Sequence, residues 1–263
     1  MIYNIDSPVV FKVTGKDSLR YLHARLTSNI KNLKNGFWIP SAALSPNGKT
    51  DCIINVFKID DENFYLISDG YESEICKLGV SKFIVADQVF LEDISSQVTI
   101  EHQINKELKL DFMFNKNLET VEFNNKRTAL IGKDIIYFNK KDKLDNYQEL
   151  NNQRIKAFIP KFNIDFNEKL IFTESKLYSH ISENKGCYAG QEVIEKIISV
   201  GRTNYSLFGF ETKDLKNLTN QAISSKVKED DSYFGIIRIK NKVFNEGIKN
   251  VTLYNIVDNL KSN

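Results

Sequence analysis

Apolar residues recur along this chain with two different periods. Val9 to Val13 is a short apolar run that predicts a strand. Asp17, of a type that caps helix N-termini, follows Gly15. Leu19, Leu22, Leu26, Ile30 and Leu33 then fall at helical spacing, so an amphipathic helix is predicted over 18–33, with Gly36 just beyond its end. Segments 37–44 and 51–59 read as two strands joined by Ser45-Pro46-Asn47-Gly48-Lys49. Proline fixes φ and Asn-Gly accepts positive φ, which makes this a strong turn signal. Asn63 to Ser68 predicts a third strand, and helical spacing returns at Ile75 and Leu78. Further strands are expected near 87–93, 97–104 and 119–138. Leu144, Tyr147, Ile155 and Phe158 predict another helix, stopped before Pro160 because the residue preceding a proline avoids helical geometry. Short β-type runs such as Phe208–Glu211 and Tyr233–Ile239 return over 205–257, as in a small C-terminal β-barrel or sandwich.

Strands and helices alternating at these lengths indicate an α+β plait rather than a doubly wound parallel sheet, and no G-x-G-x-x-G or Walker loop is present. The 263 residues suffice for one large domain or several small ones, and 41% hydrophobic with 11% aromatic residues can bury real cores. Lys and Arg exceed the acids by two (36 against 34), which argues against a dedicated nucleic-acid binder. No apolar run approaches the roughly 18 residues of a membrane span. The start Met1-Ile2-Tyr3-Asn4-Ile5-Asp6 lacks the pattern of a secretory leader. Cys52, Cys76 and Cys187 form no C-x-x-C pair, which argues against a disulfide framework or a four-thiolate site. The expectation is a cytoplasmic protein with reduced thiols, Cys52 and Cys76 being structural, and nothing demands more than a monomer. His23, His102 and His180 are scattered, so no stably bound metal is expected.

One segment stands apart chemically: Lys185-Gly186-Cys187-Tyr188-Ala189-Gly190-Gln191-Glu192. Val193, Ile194, Ile197 and Ile198 then share one helical face, so a helix should begin close to Gly190. Cys187 would sit in a glycine-flanked turn just before that helix, with Lys185 nearby. Free backbone N–H groups and an ammonium both favour an anion, so a thiol there is expected to be reactive. Gly186 and Gly190 would let the backbone approach a ligand closely. A free cysteine also packs as a small hydrophobe, and that plainer role stands beside the reactive one. His180, seven residues before Cys187, is a candidate base.

The string K-G-C-Y-A-G-Q-E closely resembles the K-G-C-Y-T-G-Q-E signature of the YgfZ family, with Ala189 in place of threonine. Family-like features occur in the expected order: Leu26-Thr27-Ser28-Asn29-Ile30, Leu44-Ser45-Pro46-Asn47-Gly48-Lys49, Arg154 with Ile159-Pro160, Phe172-Thr173-Glu174, and Gly201-Arg202. The resemblance covers 8–205. It implies a fold similar to the glycine-cleavage aminomethyltransferase: a three-domain ring around a tetrahydrofolate pocket. In that arrangement 1–48 plus 145–202 form a discontinuous folate-binding domain, 49–144 an inserted ferredoxin-like plait, and 203–263 a small β-barrel.

The same resemblance implies a folate-binding accessory protein that supports assembly or repair of iron–sulfur enzymes, those of tRNA modification among them. Its partners would be folate and iron–sulfur proteins or assembly factors, with no direct nucleic acid and no membrane. A folate has a flat pteridine, an aromatic linker and an anionic tail, so its pocket needs hydrogen-bonding groups, apolar walls and cations. Candidates are Asn29, Asp51, Arg154, Glu174, Lys185, Tyr188, Gln191, Glu192 and Arg202, with Cys187 as the reactive thiol. Each has a plainer role open to it: Asp51 as a hairpin cap, Glu174 as a solvated carboxylate, Arg154 as an exposed helix residue, Tyr188 as a core aromatic. Asp51-Cys52 stands where the aminomethyltransferase carries paired acids, which argues against glycine-cleavage activity. A folate-dependent one-carbon transferase or demethylase using Asp51 and an interaction protein without a folate pocket are the competing readings.

Overall fold

The computed structural model describes residues 1–69, 73–105, 107–142, 146–183, 185–201 and 203–256. The chain begins with strands β1 (Ile2–Asn4) and β2 (Pro8–Thr14) and helix α1 (Ser18–Arg25). Strands β3 (Phe37–Leu44), β4 (Thr50–Lys58) and β5 (Asn63–Asp69) follow, then helix α2 (Ser73–Ser81) and strand β6 (Phe90–Asp93). Five of these strands form an antiparallel sheet in the order β3-β4-β5-β2-β6.

This sheet is buried on both faces, and its sequence shows why. Val9, Phe11 and Val13 on β2 pack into one core with Leu22, Leu26 and Ile194, while Val10 points the opposite way into a second core with Trp38, Phe57 and Ile67. Apolar residues on both faces, interrupted in β2 by the exposed Lys12, are what a strand covered on both sides requires. The second core lies against another five-stranded antiparallel sheet, built from β7 (Thr99–Ile104), β8 (Phe114–Lys116), β9 (Thr120–Asn125) and β10 (Gly132–Tyr137) with β1 at its edge. Trp38 joins the two: its ring stacks on Phe57 at 5.7 Å, and its backbone N–H donates to the Phe112 carbonyl at 2.7 Å. Helix α3 (Tyr147–Lys156) and α4 (Gln191–Val200) lead to the C-terminal strands β11 (Tyr205–Thr212), β12 (Ala222–Glu229) and β13 (Ser232–Lys240), helix α5 (Asn241–Glu246) and β14 (Val251–Asn255).

Several sequence expectations change on contact with the structure. The first helix stops at Arg25 instead of reaching 33. Leu26 is extended (φ −101°, ψ 156°), and Thr27 donates a backbone hydrogen bond to β3, its N–H reaching the Ala42 carbonyl at 2.9 Å. The Thr27 hydroxyl accepts the Ala42 N–H at 2.9 Å in return. These exchanges with β3 replace the helical bonds, yet Leu26 and Ile30 remain fully buried from an extended chain. Asp17 occupies the N-cap position, but its carboxylate accepts the Gln88 N–H at 2.9 Å and pairs with Arg20 at 3.5 Å instead of capping the helix N–H groups. On α2 the buried positions are Cys76, Gly79 and Val80, and Ile75 and Leu78 face outward. The C-terminal strands form a four-stranded sheet in the order β12-β13-β11-β14. No pairing of β12 with β14 closes a barrel among the described residues. Strands and helices alternate from β2 to β6, and β3 and β4, on either side of position 48, are neighbours in one sheet. Leu144 and the expected boundaries at 145 and 202 lie outside the described residues. Among those described, no helix is long and apolar enough to cross a membrane.

Candidate functional site

A cavity of about 170 Å³ opens where β4, β5, the end of β9, α3 and the segments around 159–162 and 177–180 converge. Ile5, Ile53, Ile67, Leu150 and Phe162 give it apolar walls. Asp69, Asn125, Lys126, Arg127, Arg154 and Lys161 add charge and hydrogen-bonding capacity, and His180 lines it as well. Lys161 donates from Nζ to the Tyr147 hydroxyl at 2.6 Å, and its ammonium lies 5.0 Å from that ring.

One end of the cavity is held by a buried ionic network. Asp134 on β10 stands opposite His102 on β7 in the antiparallel register, and both side chains are fully buried. The Asp134 carboxylate accepts from His102 Nδ1 at 2.6 Å, Asn125 Nδ2 at 2.9 Å and Arg127 Nε at 2.8 Å, and Arg127 Nη2 stands 2.6 Å from it as an ion-pair partner. Arg127 Nη1 reaches across to the Asp69 carboxylate. Burial alone would raise the Asp134 pKa, but Arg127 and His102 outweigh it and hold the carboxyl well below the usual range. A charge taken out of water persists only with this density of partners.

Arg154, like His180, is a sequence-predicted candidate that lines the cavity, and it is buried, not an exposed helix residue. Its guanidinium donates from Nη1 to Asp165 at 2.7 Å and to the Ile159 carbonyl at 2.5 Å, from Nε to Asn151 at 3.0 Å, and from Nη2 to Ser225 at 3.2 Å. These bonds tie α3 to the loop after it and to β12. Arg154 is therefore a rigid piece of wall.

The 185–192 segment lies elsewhere, against α1 and the hairpin turn. Lys185 is buried and donates from Nζ to the His23 carbonyl, with its ammonium 5.3 Å from the centre of the Tyr188 ring. Burial pulls the Lys185 pKa down to about 8, and the neighbouring Cys187 works against that shift. His23 is lowered too, first by burial and then by Lys185 and Lys31. Tyr188 packs in the main core, where burial and Glu195 push its hydroxyl up to about 12. Gln191 accepts the Tyr188 N–H at 3.3 Å and donates to Glu195 at 2.6 Å, closing the turn into α4. Glu192 is exposed in the first turn.

Gly190 serves the packing of the chain itself. Gly190 has φ +83°, and a Cβ there would stand 2.5 Å from the Ser45 carbonyl oxygen and 3.0 Å from the Gly48 backbone. The close approach there is to the 45–49 turn. Cys187 is exposed, whereas Cys52 and Cys76 are fully buried. Iodoacetamide should therefore label Cys187 on the native protein and reach the other two only after denaturation, as peptide mass spectrometry would show. Native labelling of Cys76 at the rate of Cys187 would contradict this packing.

The remaining candidates are dispersed. Asp51 pairs with Arg25 at 2.6 Å and Lys82 at 3.6 Å, pinning the hairpin to α1 and α2. Glu174 is not solvated: it is buried and accepts from Arg238 Nε at 2.8 Å, tying the 172–175 turn to β13. Asn29 accepts the Asn32 N–H at 3.2 Å, and its own N–H donates to Ser182. Arg202 lies outside the described residues. Sequence reasoning missed Asp69, Asn125, Arg127, Asp134 and Lys161. The signal that could have found them is a lone acid, Asp134, inside the apolar strand Gly132–Tyr137. No group of three or more His, Cys, Asp or Glu side chains is placed to hold a metal among the described residues.

No family model matches the chain. It is 25% identical over 214 residues to an uncharacterized protein of Haemophilus influenzae, covering 78% of this chain and 71% of that one. Its fold superposes on the glycine cleavage system aminomethyltransferase T from Bartonella henselae with a TM-score of 0.75 at 10% identity. That superposition covers 98% of this chain and 86% of the other. The chain therefore has the aminomethyltransferase fold.

Proposed function

We propose that the chain binds tetrahydrofolate or a one-carbon derivative in the cavity, and that it acts as an accessory protein of the YgfZ type supporting iron–sulfur enzymes. The observation that carries the folate reading is the cavity's division into apolar walls, a fixed ionic end and flanking cations, in a chain with this fold. Pockets that enclose a drug-sized ligand run to about 300–1,000 Å³. A cavity of about 170 Å³ takes the bicyclic ring of a folate and leaves its linker and glutamate outside. Lys126 and Lys161 then supply positive charge for the carboxylates, which charge-assisted hydrogen bonds favour.

Two observations favour binding over one-carbon transfer. Asp51, the acid that a transferase reading requires, is committed to Arg25 and does not line the cavity. The exposed thiol of Cys187 is also set apart from the cavity. One thiolate does not hold a cluster, since four ligands are generally needed. Cys187 fits a role in which it meets a partner's cluster or thiol at the protein surface.

Calorimetric titration with tetrahydrofolate under reducing conditions tests the assignment. Wild type should saturate, and Lys161→Ala should bind about tenfold more weakly, the scale of one charge-assisted hydrogen bond. Lys185→Ala should leave affinity unchanged. No saturable binding by wild type rules out the folate reading, and a loss confined to Lys185→Ala would relocate the site to the 185–192 turn.

A further inference from the structure

Asp69 ends β5 and forms part of the cavity wall. One carboxylate oxygen, Oδ2, is engaged by Arg127 Nη1. The other, Oδ1, is buried with no hydrogen-bond partner among the described residues. A buried oxygen of a charged group without a donor is costly, and such an atom calls for an explanation. Asp69 has little freedom to swing away, because Arg127 is itself clamped by Asp134, which His102 and Asn125 hold in turn.

Two neighbouring polar side chains at this end are spoken for. Ser68 donates its hydroxyl to the Ile53 carbonyl at 2.7 Å. Asn125 gives Nδ2 to Asp134, and its Oδ1 accepts the Lys126 N–H at 2.8 Å. Asp69 Oδ1 thus remains as a fixed, anionic acceptor awaiting a donor. It repels carboxylates and selects N–H groups, so it orients any ligand that has a donor head and an acidic tail.

We propose that Asp69 is the specificity-determining residue of the cavity, accepting the 2-amino N–H of a 2-amino-4-oxopteridine, with Arg127 as its positioning residue. This rests on the folate reading. The aminopyrimidinone edge is the part of a reduced folate rich in N–H donors, and the glutamate tail then points towards the lysines. A site built to hydrogen-bond an N–H discriminates strongly against an analogue that lacks it, because its own acceptor is left unpaired.

The test is calorimetric titration of the full chain with tetrahydrofolate and with its 2-desamino-2-methyl analogue, for wild type and Asp69→Asn. Wild type should prefer tetrahydrofolate by about tenfold or more. An asparagine at 69 would turn its carbonyl to Arg127 and its amide N–H towards the ligand, replacing an acceptor with a donor. The variant should therefore lose at least about tenfold for tetrahydrofolate while holding the analogue nearly as well as wild type does. Equal binding of the two ligands by wild type overturns the proposal and needs no variant to fold. An equal loss of both ligands in Asp69→Asn also overturns it, since Asp69 would then serve cavity shape alone. If wild type binds neither ligand, the folate reading fails and this one with it; if it binds both alike, only this one fails.

Discussion

Asp134→Asn is expected to destabilise the fold by about 3–5 kcal/mol, the usual result of removing one partner from a buried ion pair. The substitution leaves the Arg127 guanidinium largely buried with only the Asp69 carboxylate as a charged partner, and it leaves one acceptor oxygen where His102 Nδ1 and Asn125 Nδ2 now use two. Urea unfolding should show the loss as a lowered midpoint with an unchanged slope. The pH dependence follows from the same geometry. The Asp134 pKa is lower folded than unfolded, where a carboxyl titrates near about 3.9. Its contribution is therefore fully present above that value and is lost as pH falls further towards the folded pKa. The wild type should lose stability over that acid range faster than Asp134→Asn, so the two curves converge at low pH. Parallel curves would show that Asp134 is not the ionised hub of the network.

The network also marks where the sequence stops being informative. His102 and Asp134 meet because β7 and β10 are antiparallel neighbours in a particular register, and nothing in either strand announces the other. Asp69, Arg127 and Lys161 come from a strand end and two loops, at no spacing that a motif could capture. The cavity consequently exists only once the sheets are assembled. Val9–Val13, the 45–49 turn and α4 were legible because their signals are local: an apolar run, a Pro with Asn-Gly, an apolar face after a glycine. The overrun of α1 has a physical cause as well. Periodicity reports which side chains are buried, and Leu26 and Ile30 are buried; it does not report that Thr27 and Ser28 exchange their helical bonds for bonds to β3. The 185–192 string was recognisable as a string, but its partners in space, His23 and the Ser45–Gly48 turn, were not.

That last pairing leads to the second large effect. Gly190→Ala should cost about 2–5 kcal/mol, from two sources that act at the same atom. A left-handed backbone at φ +83° costs an L-residue roughly 1–2 kcal/mol. The added methyl would also lie 2.5 Å from the Ser45 carbonyl oxygen and 3.0 Å from the Gly48 nitrogen and Cα, all backbone atoms that cannot rotate aside. Forcing such a contact open typically adds about 1–3 kcal/mol. Gly48 is itself left-handed at φ +71° and packs under Val193 and Ile194, so the turn has no easy direction in which to yield. Gly186→Ala is the internal control. A Cβ there would meet only His23 Nε2, at 3.7 Å, an ordinary contact, and its cost should stay within about 0.5 kcal/mol. Urea midpoints for the two variants, with the iodoacetamide labelling rate of Cys187 in each, separate the roles of the two glycines. A destabilised Gly190→Ala beside an unaffected Gly186→Ala means that the second glycine anchors α4 and the thiol turn to the hairpin. Equal stability of the two would mean that the turn moves freely, and the fixed placement of Cys187 would have to be abandoned.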